Sequence, residues 1–238
     1  MKLHISQLLG TFVTYDGSVE ETPGIRTFRF RASSGVKWES GQYYVYVLPG
    51  ALRDKRTPVR PFTVSSAPTE KYLQFTTRIV DTPSIFKQQL LKMKLGAKVY
   101  AAGPYGYFLL KPGPSVFLAG GIGVTPFRAM LLELSAAGAM PDITMLYASR
   151  DADILFKAEF DTIASSNPNL KIIYLPPTER LDAACVQKYI PNLQNSTYYV
   201  SGPKPMVTGV AAELSSKLGI SKSKIKHDSF KGYPWTDK

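Results

Sequence analysis

The chain has one cysteine, Cys185, among 238 residues. An internal disulfide is therefore impossible, and no Cys-x-x-Cys pair exists. A cysteine-ligated iron–sulfur cluster is excluded as well, because such clusters need several thiolates. Histidine is almost as scarce, with only His4 and His227 present. A His-rich metal centre or a Ser-His-Asp triad is not expected from two isolated imidazoles. There is no run of about 18 apolar residues, so no helical membrane span is expected. Met1 to Gly10 lacks the apolar stretch and cleavage site of a secretory signal. With the lone thiol, this sets the expectation of a cytoplasmic protein.

Acidic residues are in the minority, 18 Asp/Glu against 29 Lys/Arg, for a formal charge of +11. The excess is uneven. Residues 1–112 carry 16 Lys/Arg and 7 Asp/Glu, while residues 113–238 carry 13 and 11. A surface of this sign attracts acidic proteins, nucleic acid or anionic membrane. Nucleic-acid binding would also need exposed aromatics among the cations on one face. Charge alone does not choose among these partners or against an ordinary solvated surface, but any acidic partner should approach the first half. A hydrophobic content of 44% is that of a folded globular chain, long enough for one or two domains with a sizeable core.

The first half reads as β structure. Strands are expected at Ile5–Thr14, Ile25–Arg31, Gln42–Leu48, Pro61–Ser65, Tyr72–Val80 and Lys98–Tyr100, rich in β-branched and aromatic residues. Short strands at this spacing suggest an antiparallel barrel or sandwich. One helix is expected from Pro83 or Ser84 to about Lys94, with Thr82 as N-cap. Lys111-Pro112-Gly113-Pro114 breaks the chain into domains 1–112 and 113–238. Beyond it, strands are expected at Ser115–Ala119, Ile143–Ala148, Leu170–Leu175, Thr197–Val200 and Lys224–His227. They alternate with helices at about Thr125–Ala137, Ile154–Ala164, Leu181–Tyr189 and Lys204–Leu218. Such alternation gives an α/β domain with a parallel sheet covered by helices.

Two segments carry chemistry. Arg60-Pro61-Phe62-Thr63-Val64-Ser65-Ser66 brings a cation, an aromatic ring and a hydroxyl within four positions. On a strand, Arg60 and Phe62 share a face and Thr63 points the other way. Arg suits a diphosphate because its planar fork binds oxyanions bidentately. An aromatic ring stacks on a planar ligand, and a hydroxyl donates to or accepts from a ring nitrogen. A flavin dinucleotide needs all three contacts at short range. The second segment runs from Leu118 to Phe127 and holds Gly120, Gly121, Gly123, Thr125 and Pro126. It follows a buried strand and opens a helix, where glycines admit a pyrophosphate and the helix start favours its charge. No Lys-Ser/Thr follows, so it is not a P-loop. Pro126 stands where a dinucleotide fingerprint has its third glycine.

These segments resemble the Arg-x-Phe/Tyr-Ser/Thr signature and the nucleotide loop of the ferredoxin–NADP reductase family. Gly103-Pro104-Tyr105-Gly106-Tyr107-Phe108 resembles the family's Gly-Pro-x-Gly-x-Phe. Tyr199 to Met206 resembles its Cys-Gly-Pro-x-x-Met segment. Asp228 to Tyr233 loosely resembles its closing aromatic segment. The likeness covers nearly the whole chain in the family's order.

The resemblance implies an N-terminal Greek-key β-barrel that binds FAD, with Arg60 on the diphosphate, Phe62 on the isoalloxazine or ribityl chain, and Thr63 beside flavin N5. It adds Pro61 and Val64 as flanking contacts, and Thr82 and Ser84 as further phosphate contacts. Arg78 either supports the same phosphates or is a solvated strand residue. It implies an NAD(P)-binding domain whose nucleotide lies across Gly120–Pro126 and Ser201, Gly202, Pro203 and Met206. Ser201 stands where many members have a cysteine near the nicotinamide. Phe230 is the first candidate for the aromatic that covers the flavin, with Tyr233 and Trp235 as alternatives. Ser149, Arg150, Thr178 and Arg180 are expected near the adenosine ribose. They favour NADPH over NADH because a 2′-phosphate wants arginine there, although Glu179 lies among them. The implied activity is hydride transfer between NAD(P)H and flavin N5, with electrons passed to a separate acidic carrier such as ferredoxin or flavodoxin. An oxygenase component, free flavin or ferric iron are alternative acceptors. A non-enzymatic basic binding protein is the alternative of another class.

Overall fold

The structure, a computed structural model, describes residues 10–32, 36–48, 50–51, 59–150 and 153–230. The chain separates into two units, Met1–Leu109 and Leu110–Lys238.

The first unit holds strands β1 (Gly10–Thr22), β2 (Ile25–Arg31), β3 (Tyr43–Val47), β4 (Val59–Thr63), β5 (Tyr72–Arg78) and β6 (Lys98–Tyr105), with helix α1 (Ile85–Leu91) between the last two. The sheet order is β4-β3-β6-β1-β2-β5, every pairing antiparallel. Just past β4, the Ser65 N–H donates to the Gln74 carbonyl of β5 at 2.7 Å. That bond draws the two ends of the sheet together and makes it barrel-like. Period-2 alternation turns Phe28, Phe30, Tyr46 and Phe75 inward, all buried, where they meet Phe86 and Leu90 from α1. Each such ring contributes about 1.5–3 kcal/mol of burial.

Two expectations need correction. β1 continues to Thr22, well past Thr14, as a hairpin with β2; residues 5–9 of the expected strand lie outside the described residues. Asp16, Ser18 and Glu20 read as loop, yet they belong to a strand whose outer face is exposed. Register shifts at Tyr15/Gly17 and Glu20/Thr22 break its alternation. Helix α1 is shorter than expected, and Ser84 caps it in place of Thr82, accepting from the Lys87 N–H at 3.4 Å. Its apolar face ends at Leu90. Leu91 and Leu95 are 45% and 76% exposed, so no burial rewards a further turn.

The second unit holds β7 (Ser115–Gly120), β8 (Ile143–Ala148), β9 (Leu170–Leu175), β10 (Thr197–Pro203) and β11 (Ile225–Phe230), with α2 (Thr125–Ala136), α3 (Lys157–Ser166), α4 (Ala183–Tyr189) and α5 (Lys204–Leu218). The sheet is parallel, ordered β11-β10-β7-β8-β9. β7 is central and buried at every position, as a strand covered on both faces must be. The chain steps outward from β7 through β8 to β9, then returns to β10 on the other side. In open α/β sheets such a reversal, here between β7 and β10, marks where ligands bind outside the carboxyl ends of the strands. α3 begins at Lys157, later than expected, because Phe156 takes a left-handed conformation with φ 61°. Among the described residues, no helix is long and apolar enough to cross a membrane, and no group of three or more His, Cys, Asp or Glu is placed to hold a metal.

Candidate functional site

In the barrel, β4 lies at the end of the strand order, which tolerates Pro61 because that side needs no ladder N–H. Antiparallel register sets Arg60 opposite Tyr46, Phe62 opposite Tyr44 and Thr63 opposite Tyr43. Phe62 lies flat on Phe75, ring centroids 4.1 Å apart and 4° from parallel. It also meets Phe86 at 5.9 Å. One ring face is thus committed to the core, although the residue is only half-buried. Thr63 is buried, and Val64 belongs to the core. The Arg60 guanidinium donates to its neighbour's Val59 carbonyl at 2.9 Å and lies 5.6 Å from the Phe86 ring centroid.

Arg78 closes β5, and its carbonyl accepts from Lys87 Nζ at 2.6 Å. Burial holds the Lys87 ammonium below the usual lysine range, and repulsion from Arg60 and Arg78 adds to the shift. No described carboxylate lies within ion-pair distance of Lys87. Three cations therefore converge from β4, β5 and α1, an arrangement that suits a diphosphate. Lys87 was not legible in the sequence, where a helical lysine reads as solvated. Thr82 is exposed in the turn before α1, and the Ser84 hydroxyl serves the helix cap.

The parallel sheet brings the other residues to one edge. Gly120 ends β7, residues Gly121–Val124 form a 3₁₀ turn, and Thr125 and Pro126 begin α2, both buried. The glycines divide by role. A Cβ on Gly120 would stand 2.2 Å from Met206 Sδ, and one on Gly123 would stand 2.2 Å from the Ser201 carbonyl oxygen and 2.6 Å from Gly202 Cα. These two glycines let the chain pack on itself. Gly121, with φ +53°, would direct a Cβ into open space, so its backbone conformation and not packing calls for glycine. The start of α2 has no side-chain cap. Ser201 is fully buried on β10 between Ala119 and Asp228, and its hydroxyl has no hydrogen-bond partner among the described residues. A buried polar group without a partner invites a ligand or water.

Gly123→Ala is expected to destabilise the chain by about 1–3 kcal/mol, because both atoms it meets are backbone. Gly120→Ala should cost less, since the Met206 thioether can swing away. Chemical denaturation of both variants checks the order, and equal losses would contradict it.

Ser149 and Arg150 follow β8, and Thr178 and Arg180 follow β9, at the same edge. Arg150, Thr178 and Arg180 are exposed. Glu179 is tied to α4, accepting from Lys188 Nζ at 2.9 Å and from the Tyr189 hydroxyl at 3.1 Å. The Lys188 hydrogen bond holds its carboxyl below the usual range. Phe230, half-buried, pairs with Pro203 at the end of β11. Tyr233 and Trp235 lie outside the described residues.

Residues 117–212 match the family described as Oxidoreductase NAD-binding domain. A ferredoxin–NADP reductase B of Sorangium cellulosum is 30% identical over 199 residues, covering 78% of this chain and 80% of that protein. The ferredoxin–NAD(P)+ reductase component of the naphthalene 1,2-dioxygenase/salicylate 5-hydroxylase systems of a Ralstonia species is 26% identical over 237 residues, covering 94% and 69%. The fold is that of the ferredoxin–NADP+ reductase structure from Plasmodium falciparum, with a TM-score of 0.79 at 17% identity over 93% of this chain and 96% of that one.

Proposed function

Because this chain belongs to the ferredoxin–NADP reductase family, we propose that it is a flavin-dependent oxidoreductase that moves reducing equivalents between NAD(P)H and a separate electron carrier. The observation that carries this reading is the convergence of Arg60, Arg78 and Lys87 beside the Phe62–Phe75 stack. A diphosphate-linked aromatic cofactor, FAD, suits both parts. When bound, flavin supplies the chemistry: it takes two electrons with a hydride and releases them singly.

The protein's own residues supply grip and orientation. Arg60 and Lys87 hold the diphosphate, with Arg78 in support. Ser84 acts through the turn it caps. Phe62, backed by Phe75, presents its remaining surface to the cofactor, and Thr63 sets a hydroxyl at N5. In the second unit, Gly121 and the uncapped start of α2 take the nucleotide phosphates, where backbone N–H groups and the helix dipole favour anions. The unpartnered Ser201 hydroxyl orients the nicotinamide, and Phe230 stands at that end of the site. Arg150, Thr178 and Arg180 face the adenosine ribose. With Glu179 bound to Lys188 and Tyr189, the cations there favour the 2′-phosphate of NADPH.

The carrier is a separate acidic protein, such as ferredoxin or flavodoxin, drawn to the basic first half. A cytoplasmic setting suits one free thiol. The Ralstonia relative favours one second reading, in which the acceptor is an oxygenase component.

Anaerobic titration of the yellow protein tests the function. NADPH should bleach the flavin at lower concentration than NADH. A colourless protein, or a yellow one that neither nucleotide bleaches, would overturn the proposal. In the same cuvette, ferredoxin reduction should slow as salt rises. A rate indifferent to salt would remove the electrostatic docking.

A further inference from the structure

We propose that the outward face of strands β4, β3, β6 and β1 is a docking surface for a small acidic electron-carrier protein, centred on Phe12 and Tyr100. The proposal rests on the reading of Thr63 as the flavin N5 residue, and it gives the carrier a place on the barrel.

Strand register builds the face. Val13, Tyr46, Val99 and Ala101 turn into the barrel core, so their neighbours along each strand turn outward. Phe12 stands opposite Tyr100, Tyr100 opposite Val47, and Val47 opposite Val59. One apolar row thus crosses four strands. Beside it, Tyr43 and Tyr105 pack against Val45 and Ala102, and Tyr43 stands opposite Thr63. An antiparallel sheet that faces water on one side ordinarily turns polar residues to it. Here Phe12 is 60% exposed and meets Tyr100 edge-on, with centroids 5.4 Å apart and an angle of 71°. Apolar surface gathered on one sheet face and left open marks an interaction site.

The border of the face chooses the partner. Lys98, two residues before Tyr100, is exposed, and its Nζ donates to the neutral Thr14 Oγ1 at 2.8 Å. Arg31 stands opposite Thr14 on β2; its side chain is 65% exposed and pairs with Asp16 at 3.2 Å. Arg29, on the same side of β2, is exposed and lies over the Tyr72 ring at 4.1 Å. Three cations and one carboxylate therefore edge an aromatic centre, the composition of a protein interface with a charged rim. A second copy of so basic a face would repel itself, whereas an acidic protein is attracted. Position favours an electron carrier among acidic proteins. Neighbouring strands lie about 4.8 Å apart, so β1 is three steps, roughly 14 Å, from β4. A carrier seated on Phe12 and Tyr100 is then close to the cofactor that Thr63 touches. The balance is simple: NADPH gives up two electrons, two oxidised carriers take one each in turn, and NADP+ and one proton remain.

The test uses the flavin-loaded full chain with NADPH and compares two acceptors. One is a [2Fe–2S] ferredoxin; the other is ferricyanide, an ion too small to need a docking face. Phe12→Ala should raise KM for ferredoxin about tenfold and leave ferricyanide reduction unchanged. Lys98→Glu should raise the same KM and flatten its dependence on salt. Leu95→Ser is the control: Leu95 is 76% exposed between α1 and β6, away from this row, and its loss should move neither acceptor. If Phe12→Ala and Lys98→Glu both leave the ferredoxin KM unchanged, the docking face is overturned and the carrier reading stands. A dimer that Phe12→Glu dissociates, with ferredoxin kinetics unmoved, overturns it too, because the occupant is then a second copy. A wild-type chain that reduces ferricyanide but not ferredoxin removes the carrier reading, and the face with it. Should Phe12→Ala fold poorly, Lys98→Glu carries the comparison, since its side chain is at the surface.

Discussion

Arg60→Ala will emerge from purification largely without flavin, its affinity for FAD lowered on the order of a hundredfold. Truncating one partner of a charge-assisted phosphate contact costs about 3 kcal/mol, and each 1.4 kcal/mol is about a factor of ten. The fold should survive. Arg60 is a half-buried residue on β4 whose guanidinium donates to the adjacent Val59 carbonyl, and the strand is anchored by Val64 and by Phe62 on Phe75. The ratio of absorbance at 450 nm to that at 280 nm reads retention, and fluorescence titration of the apoprotein reads affinity. A variant that keeps its full flavin content removes Arg60 from the diphosphate. Lys87→Gln should move in the same direction by less, since its ammonium already has the Arg78 carbonyl as an acceptor.

Thr63→Ala is expected to do the opposite: flavin stays, and its reduction by NADPH slows by about tenfold to a hundredfold. Thr63 is buried on the face of β4 opposite Arg60 and Phe62, across from Tyr43, so its loss leaves the diphosphate grip intact. On the proposed reading, what disappears is the one hydroxyl assigned to the reacting nitrogen. Loss of a preorganised hydrogen-bonding group at a reacting centre costs about this much or more. Thr63→Ser should recover most of the rate. Anaerobic stopped-flow decides the point, and a single-turnover rate equal to wild type would falsify the N5 role. The two variants form a pair: one loses the cofactor, and the other keeps it and loses speed.

How much of this was visible beforehand differs between elements. The second unit was well marked. β7, β8 and β9 are apolar runs bounded by turn residues, and their buried positions in the parallel sheet follow from that pattern. The barrel was marked less well where tertiary pairing overrode local composition. The second half of β1 reads as polar loop, and only its pairing with β2 makes it strand. The opposition of Arg60 and Phe62 to Thr63 followed from strand alternation alone. That Phe62 would lie flat on Phe75 did not, because the partner is 13 residues further along and its inward rotation depends on the whole core. The glycine loop was found by composition, but the division of labour was not. Gly120 and Gly123 yield to Met206 and Ser201, which arrive from α5 and β10 respectively. Lys87 had no signal at all, since it becomes informative only when α1 meets the strands. Glu179 is a related case: the sequence shows its charge but not its hydrogen bonds from Lys188 and Tyr189.

The convergence of Arg60, Arg78 and Lys87 reaches beyond catalysis. Burial and the two neighbouring arginines disfavour the charged form of Lys87 in the folded chain. A dianion bound there reverses the sign of the interaction, so its binding energy is shared between holding the ligand and holding the chain. A ligand that binds only the folded form, at a hundred times its dissociation constant, stabilises it by about 2.7 kcal/mol. That is a large part of the margin by which small proteins stay folded. The abundance of this protein in a cell would then track the supply of its cofactor, with unfilled chains cleared first and the pool of reductase kept in proportion to the flavin available to serve it.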